Sequence, residues 1–254
     1  MIELKNVNGG YGKKQVLYNI NEVMKNGEIT SIVGPNGCGK STLLETASGL
    51  FVPFSGTVEA DGLDVHKMDS KKRARKISVL SQQKNPGVLT VKALVFHGRF
   101  PYLGYPRRYT DRDREIVDNA MKAAGVYQIA DESLAALSGG QQQKAYIAML
   151  FAQDTDIVFM DEPITFLDIN YQLELMEIIK EMKNRGKTVI MVLHDLNLAM
   201  CFSDKIIAMK NGRVVCSGVP EKLYTNNVFE EIFGIKTNYS KAEKQFFFSR
   251  ECKK

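Results

Sequence analysis

The sequence predicts an α/β fold built around a largely parallel sheet, and three observations carry that expectation. A β-branched apolar run, Ile29 to Val33, feeds directly into the glycine-rich segment Gly34-Pro-Asn-Gly-Cys-Gly-Lys-Ser-Thr42, after which a helical pattern runs through Leu43, Leu44 and Ala47. Two more short apolar runs, Ile157 to Met160 and Thr188 to Leu193, flank a helical stretch from Tyr171 to Arg185 that Gly186 stops. Apolar strands too short to alternate, each followed by a helix, are the pattern of a sheet buried on both faces.

Taken in order, residues 1 to 33 read as strands, and Gly56 to Val65 as a strand pair broken at Asp61-Gly62. Ile77 to Leu80 is a short strand ending at Ser81-Gln82. From Asn85 to Gln153 the pattern turns mostly helical, interrupted by an Arg/Tyr-rich connection at Phe100 to Tyr109. The chain therefore divides into residues 1–84 and 154–254, which form the sheet-bearing core, and residues 85–153, a helical subdomain. Residues 205 to 218 read as a hairpin across Asn211-Gly212, and the tail after Pro220 as helical, then mixed.

Composition excludes several classes. A length of 254 residues suffices for a full core, and a net charge of +5 lacks the bias of a nucleic-acid binder. Cys38, Cys201, Cys216 and Cys252 form no CxxC pair and no metal-ligand spacing, which points to a reducing cytosol. No run approaches the apolar length of a membrane span and no signal-peptide core opens the chain, so a soluble protein is expected.

The chemistry starts in the first glycine-rich segment. Gly34, Gly39, Lys40 and Ser41 satisfy G-x-x-x-x-G-K-[ST], with Pro35, Asn36, Gly37 and Cys38 between the fixed glycines and Thr42 after them. Glycines let backbone N–H groups face a phosphate, and the helix N-terminus adds its dipole. Lys40 would neutralise the β- and γ-phosphates of a nucleotide, and the Ser41 hydroxyl would bind Mg²⁺. A chance match in a chain this long has a probability of about one per cent, so a merely flexible loop is a weak reading.

Ile157 to Met160 ends in Asp161-Glu162-Pro163. Asp161 is placed to orient the Mg²⁺ shell, and Glu162 to take a proton from attacking water. An exposed acidic turn is the plainer reading, and it loses only because the phosphate loop is present. His194 follows the Thr188 to Leu193 strand, a candidate neighbour of the Asp161 strand, so both could emerge at the sheet edge where such folds bind ligands. There it could meet a γ-phosphate or orient Glu162 and water. His66 and His97 lack such placement.

A second glycine-rich segment, Leu137-Ser138-Gly139-Gly140-Gln141, precedes a helical stretch. Ser138 is a good N-cap. Two glycines at a helix start are costly unless something must approach the backbone closely, and a hydroxyl with bare N–H groups there makes an anion site.

With these residues in place, nearly the whole chain resembles the ATP-binding subunits of ABC transporters. The resemblance implies a P-loop NTPase core with a mainly parallel sheet, an N-terminal antiparallel β subdomain and a helical subdomain carrying the LSGGQ signature. It makes Gly34 to Thr42 the Walker A segment, Asp161-Glu162 the end of Walker B and His194 the switch histidine. By the same likeness Tyr11 stacks on adenine, Gln82 reaches both the Mg²⁺ and a membrane partner, and Leu167-Asp168 ends the D-loop. It further implies a head-to-tail homodimer in which each ATP lies between one protomer's phosphate loop and the other's Ser138 to Gln141. Closure on ATP would drive integral-membrane permease subunits docked near Gln82, served indirectly by a substrate-binding protein, at the cytoplasmic face of the cell membrane. No nucleic-acid partner is expected.

Two residues depart from the family pattern: Ile164 where Thr commonly follows Glu-Pro, and Gln142 where Arg often follows the signature. Asp168 to Gln172, Val192 to Asn197 and Gly98 to Pro101 look most like the ATPases of iron-siderophore, haem and cobalamin importers. An ATPase of another metal-ion or small-solute importer is the nearest alternative, and a non-transport ABC ATPase a further one. A P-loop kinase or GTPase would need no LSGGQ segment, and the guanine-reading Asn-Lys-x-Asp is absent. The basic run Lys71 to Lys76 reads as a solvated helix face in preference to a lipid or partner contact.

Overall fold

The computed structural model describes residues 1–82, 87–225, 228–240 and 245–249. The chain divides into two compact units, one made of Met1–Lys67 with Thr188–Lys254 and the other of Met68–Lys187.

The first unit opens with β1 (Ile2–Tyr11) and β2 (Lys14–Met24), antiparallel, with Tyr11 opposite Lys14 and Gly12 at φ 57° in the two-residue turn. That left-handed conformation is what a tight hairpin asks of its first turn residue. β3 (Ile29–Val33), buried at every position, then leads to α1 (Lys40–Ala47). β4 (Ser55–Ala60) and the short β5 (Leu63–Asp64) complete an antiparallel sheet of order β2-β1-β4-β5. The N-terminal β subdomain thus stands as the sequence predicts.

The second unit runs α2 (Ser70–Lys76), β6 (Ile77–Leu80), α3 (Val91–His97), α4 (Asp111–Ala123), α5 (Gly139–Gln153), β7 (Ile157–Asp161) and α6 (Ile169–Asn184). β6 and β7 pair in parallel with Leu80 opposite Met160, and β7 runs one residue further than its apolar pattern, through Asp161. α6 begins at Ile169, before the expected Tyr171, because the Asp168 carboxylate caps it by accepting from the Tyr171 N–H. Thr110 and Asp113 form a reciprocal capping box on α4.

Asp113 also anchors the helices. Its Oδ1 accepts from Arg99 Nε at 2.9 Å, and both side chains are about nine-tenths buried. A second guanidinium nitrogen donates to the Ala152 carbonyl of α5 at 2.8 Å. Burial works against the charged carboxylate, yet the Thr110 N–H and hydroxyl and the Arg99 guanidinium hold its pKa below the usual range. The pair's stabilisation is therefore complete above the ordinary carboxyl pKa and is lost as pH falls through the lower folded value. Asp113→Ala strands the buried guanidinium, and chemical denaturation is expected to show a loss of about 3 to 5 kcal/mol at neutral pH.

The chain then returns to the first unit with β8 (Thr188–Val192), α7 (Leu196–Phe202), β9 (Lys205–Lys210) and β10 (Arg213–Gly218). α8 (Pro220–Thr225), α9 (Val228–Phe233), β11 (Lys236–Ser240) and β12 (Gln245–Ser249) follow. Within this unit the order is β10-β9-β3-β8, with β3 parallel to both β8 and β9. β9 and β10 form the expected hairpin, turning at Asn211 (φ 49°) and Gly212 (φ 73°).

Candidate nucleotide-binding site

The phosphate loop is set by its packing. A side chain at Gly34 would place its Cβ 2.4 Å from the Met209 carbonyl oxygen, so β9 excludes anything larger than glycine. The Gly212 N–H donates to the Cys38 carbonyl at 2.9 Å, pinning the loop to the β9–β10 turn. Gly37 and Gly39 take φ of 74° and 103°, and Gly39 forms the N-cap of α1. Lys40 is only 5% exposed and its Nζ donates to the Gly34 and Pro35 carbonyls at 2.9 and 3.1 Å. The ammonium is thus held inside the loop that a phosphate would enter. Cys38 is buried, and that burial pushes its thiol pKa up more than the Lys40 charge draws it down.

His194 belongs to the same edge. Ile32 lies opposite Val192, and the Leu193 N–H donates to the Ile32 carbonyl at 3.1 Å, so His194 follows β8 where the phosphate loop follows β3. It is exposed there. Tyr11, 49% exposed, leans on Phe51 at a ring separation of 5.0 Å. Its hydroxyl donates to Glu45 Oε2 at 2.9 Å and lies 3.2 Å from Thr42 Oγ1. The tyrosine is therefore tied to the first helix after the loop, with part of its ring facing solvent.

In the second unit, parallel pairing of β6 and β7 brings their C-terminal ends together. Gln82 Nε2 donates to Glu162 Oε2 at 2.7 Å across eighty residues of sequence. Thr165 Oγ1 donates to the same oxygen at 3.2 Å. Glu162 itself has φ 50°, a conformation uncommon for a non-glycine residue and one that recurs at functional sites. Asp161 is 7% exposed at the end of β7.

The signature segment has two characters. Ser138 Oγ accepts from the Gln141 N–H at 3.3 Å while Gln141 Oε1 accepts from the Ser138 N–H at 3.1 Å, a complete capping box on a 15-residue helix. Gly140 is buried, and a Cβ there would sit 2.5 Å from the Tyr171 ring of α6. One of the two glycines thus answers to a neighbour in its own chain. Ser138 and Gly139 are exposed. Gln142 Nε2 donates to the Leu137 carbonyl at 3.1 Å, so this departure from the family pattern braces the segment locally.

Ile164, the other departure, is buried. Between it and Asp168, Phe166 is almost wholly exposed at φ 65°, an aromatic side chain in a strained conformation that the sequence reading passed over. Glu45, Thr165 and Tyr171 were also missed, because their bonds to Tyr11 and Glu162 and their packing on Gly140 are made through folding and follow no motif. His66 bonds the Phe51 carbonyl through Nε2 at 2.9 Å and His97 packs at a tilt against Phe100, and neither lies in the phosphate loop.

The donors expected for Mg²⁺, the Ser41 hydroxyl, the Asp161 carboxylate and the Gln82 amide oxygen, are all hard oxygens. Among the described residues no cluster of three or more His, Cys, Asp or Glu could cage a metal. Hard oxygen donors of this kind suit Mg²⁺, which seldom takes an all-protein cage.

A glycine loop joining a buried parallel strand to a helix, with an acid pair closing another strand, defines a nucleoside-triphosphate hydrolase of the P-loop class. The family model described as ABC transporter matches residues 17–165. The chain belongs to the ABC transporter family and is an ATPase. It is 43% identical to the ferric enterobactin transport ATP-binding protein FepC of Escherichia coli (strain K12), over 89% of this chain and 84% of that protein. It is also 43% identical to the petrobactin import ATP-binding protein YclP of Bacillus subtilis (strain 168), over 92% of each. Among solved structures it is similar to the dimeric bacterial ABC transporter cassette MJ0796, with a TM-score of 0.76 and 33% identity over 87% of this chain and 99% of that one.

Proposed function

We propose that this chain is the ATP-hydrolysing subunit that powers import of an iron-siderophore, haem or cobalamin-type chelate through a separate membrane permease. The observation that carries the substrate class is the 43% identity, over 92% of both chains, to a petrobactin import ATP-binding protein. The FepC likeness, at the same identity, belongs to a ferric enterobactin system. Two different siderophores in two relatives support a class of cargo.

In this reading Gly34 to Thr42 cradles the ATP phosphates, Lys40 moves from the loop carbonyls to the phosphates, and Tyr11 stacks on adenine. Mg²⁺, when bound, would supply charge neutralisation to the phosphates. Ser41, Asp161 and Gln82 would hold it. Glu162 takes the proton of the attacking water, with Gln82 and Thr165 fixing its carboxylate, and His194 faces the γ-phosphate. Ser138, Gly139, Gly140, Gln141 and Asp168 serve the ATP of a second copy in a head-to-tail homodimer. Residues 85–153 act as the helical lobe of a core formed by 1–84 and 154–254. Permease subunits dock near Gln82 and place the protein at the cytoplasmic face of the membrane.

The substrate class is tested by uptake. A strain lacking this gene should lose ATP-dependent uptake of radiolabelled ferric siderophore and keep uptake of an unrelated solute such as an amino acid. Unchanged siderophore, haem and cobalamin uptake, with loss of another metal ion, would assign the chain to a different importer.

A further inference from the structure

We propose that the loop Gly104–Arg108, together with the basic face of α2, is a docking surface for anionic lipid headgroups. The inference rests on the reading that the chain works at a membrane, and it adds a second attachment beside the permease.

The loop is presented by a fixed root. Lys71 Nζ donates to the Leu103 carbonyl at 2.8 Å and Arg75 Nε to the Pro101 carbonyl at 2.9 Å. Arg75 and Arg99 both approach the Tyr102 ring, with guanidinium carbons 5.3 and 3.9 Å from its centre, and the Tyr102 hydroxyl donates to the Gln153 carbonyl at 2.8 Å. Beyond that root every residue from Gly104 to Arg108 is exposed, and Tyr105 is exposed completely.

The charges around the loop are unbalanced. Carbonyl oxygens satisfy the donors of Lys71 and Arg75 without neutralising them. Among the described residues Lys71, Lys72, Arg75, Arg107 and Arg108 make no ion pair. Nearby cations differ: Arg99 pairs with Asp113 at 2.9 Å, Arg114 with Asp111 at 3.7 Å and Lys76 with Asp156 at 3.9 Å. Five cations without an ion pair among the described residues are therefore carried by α2 and by the loop that bears the exposed Tyr105.

That combination fits a lipid surface better than a permease surface. Cytoplasmic loops of membrane proteins carry excess Lys and Arg, so a permease face would repel this patch. Headgroup phosphates attract it, arginine binds them in bidentate fashion, and tyrosine is suited to the interfacial layer.

The test is co-sedimentation of the full-length protein with vesicles of mixed phosphatidylglycerol and phosphatidylcholine, against phosphatidylcholine alone. Binding to the anionic vesicles only is expected, falling with salt. Inorganic phosphate should compete no better than chloride at equal ionic strength, since a surface is proposed and not a phosphate pocket. Each basic side chain near such a surface contributes about fivefold, so Arg107→Ser with Arg108→Ser should weaken partitioning on the order of thirtyfold. Tyr105→Ser should weaken it less. ATP hydrolysis without vesicles should be unchanged in these variants, which checks folding. Equal binding to both vesicle types, or anionic binding undiminished in the double arginine variant, overturns the proposal. So does a double variant that keeps vesicle binding and fails to assemble with the permease in detergent. Absent ATP hydrolysis in the unmodified protein would strike the functional reading instead.

Discussion

Glu162→Gln is expected to keep ATP binding, lower hydrolysis by about 10²- to 10⁴-fold, and accumulate an ATP-bound dimer. The substitution isolates chemistry from structure. Gln82 Nε2 and Thr165 Oγ1 both donate to one carboxylate oxygen, Oε2, at 2.7 and 3.2 Å, and an amide oxygen can take that place and keep both bonds. The backbone at φ 50° is no worse suited to glutamine than to glutamate. What is lost is the ability to accept a proton from water. In the proposed site the substitution also removes a negative charge near the nucleotide phosphates, which favours the ATP-bound state over the wild type. Phosphate release measures the first effect, and light scattering with and without ATP the second. Near-normal turnover would remove Glu162 from the proton path, and a monomer under both conditions would count strongly against a site shared by two protomers.

The sequence makes the phosphate loop legible because its requirements are local: a buried strand before it, glycines at positive φ within it, and a helix whose N-terminus faces the anion. The same locality gives the strand ends at Asp161 and His194. The partnership of Gln82 with Glu162 is not local, since it depends on β6 and β7 pairing in register, and no spacing encodes that. The signature glycines show a subtler limit. Close approach explains Gly140, where the approaching group is Tyr171 of the same chain, whereas a side chain at exposed Gly139 would meet nothing nearer than Leu167 at 3.9 Å. The basic run from Lys71 to Lys76 reads as a solvated face because a helix pattern cannot show that Lys71 and Arg75 bind the carbonyls of a loop more than twenty residues away.

Ser138→Arg should disable hydrolysis in the symmetric dimer, and in mixed dimers the loss should appear in the site whose phosphate loop belongs to the other chain. Ser138 is exposed at the N-terminus of α5, so the substitution costs a cap worth about 0.5 to 2 kcal/mol without disturbing the core. It also puts a long cation against the positive end of the helix dipole, where an anion is otherwise favoured. Pairing it with Lys40→Ala gives opposite outcomes for the two arrangements. With one substitution on each subunit, a site shared between chains leaves one loop and signature pair intact, and roughly half the activity should remain if the two sites act independently. With both substitutions on the same subunit, each site carries one defect and activity should vanish. A signature that served its own chain's phosphate loop would give the reverse pattern. Differently tagged subunits, purified over both tags and assayed for phosphate release, separate the two results. Folding alone cannot imitate the difference, because both mixed dimers contain the same two substitutions.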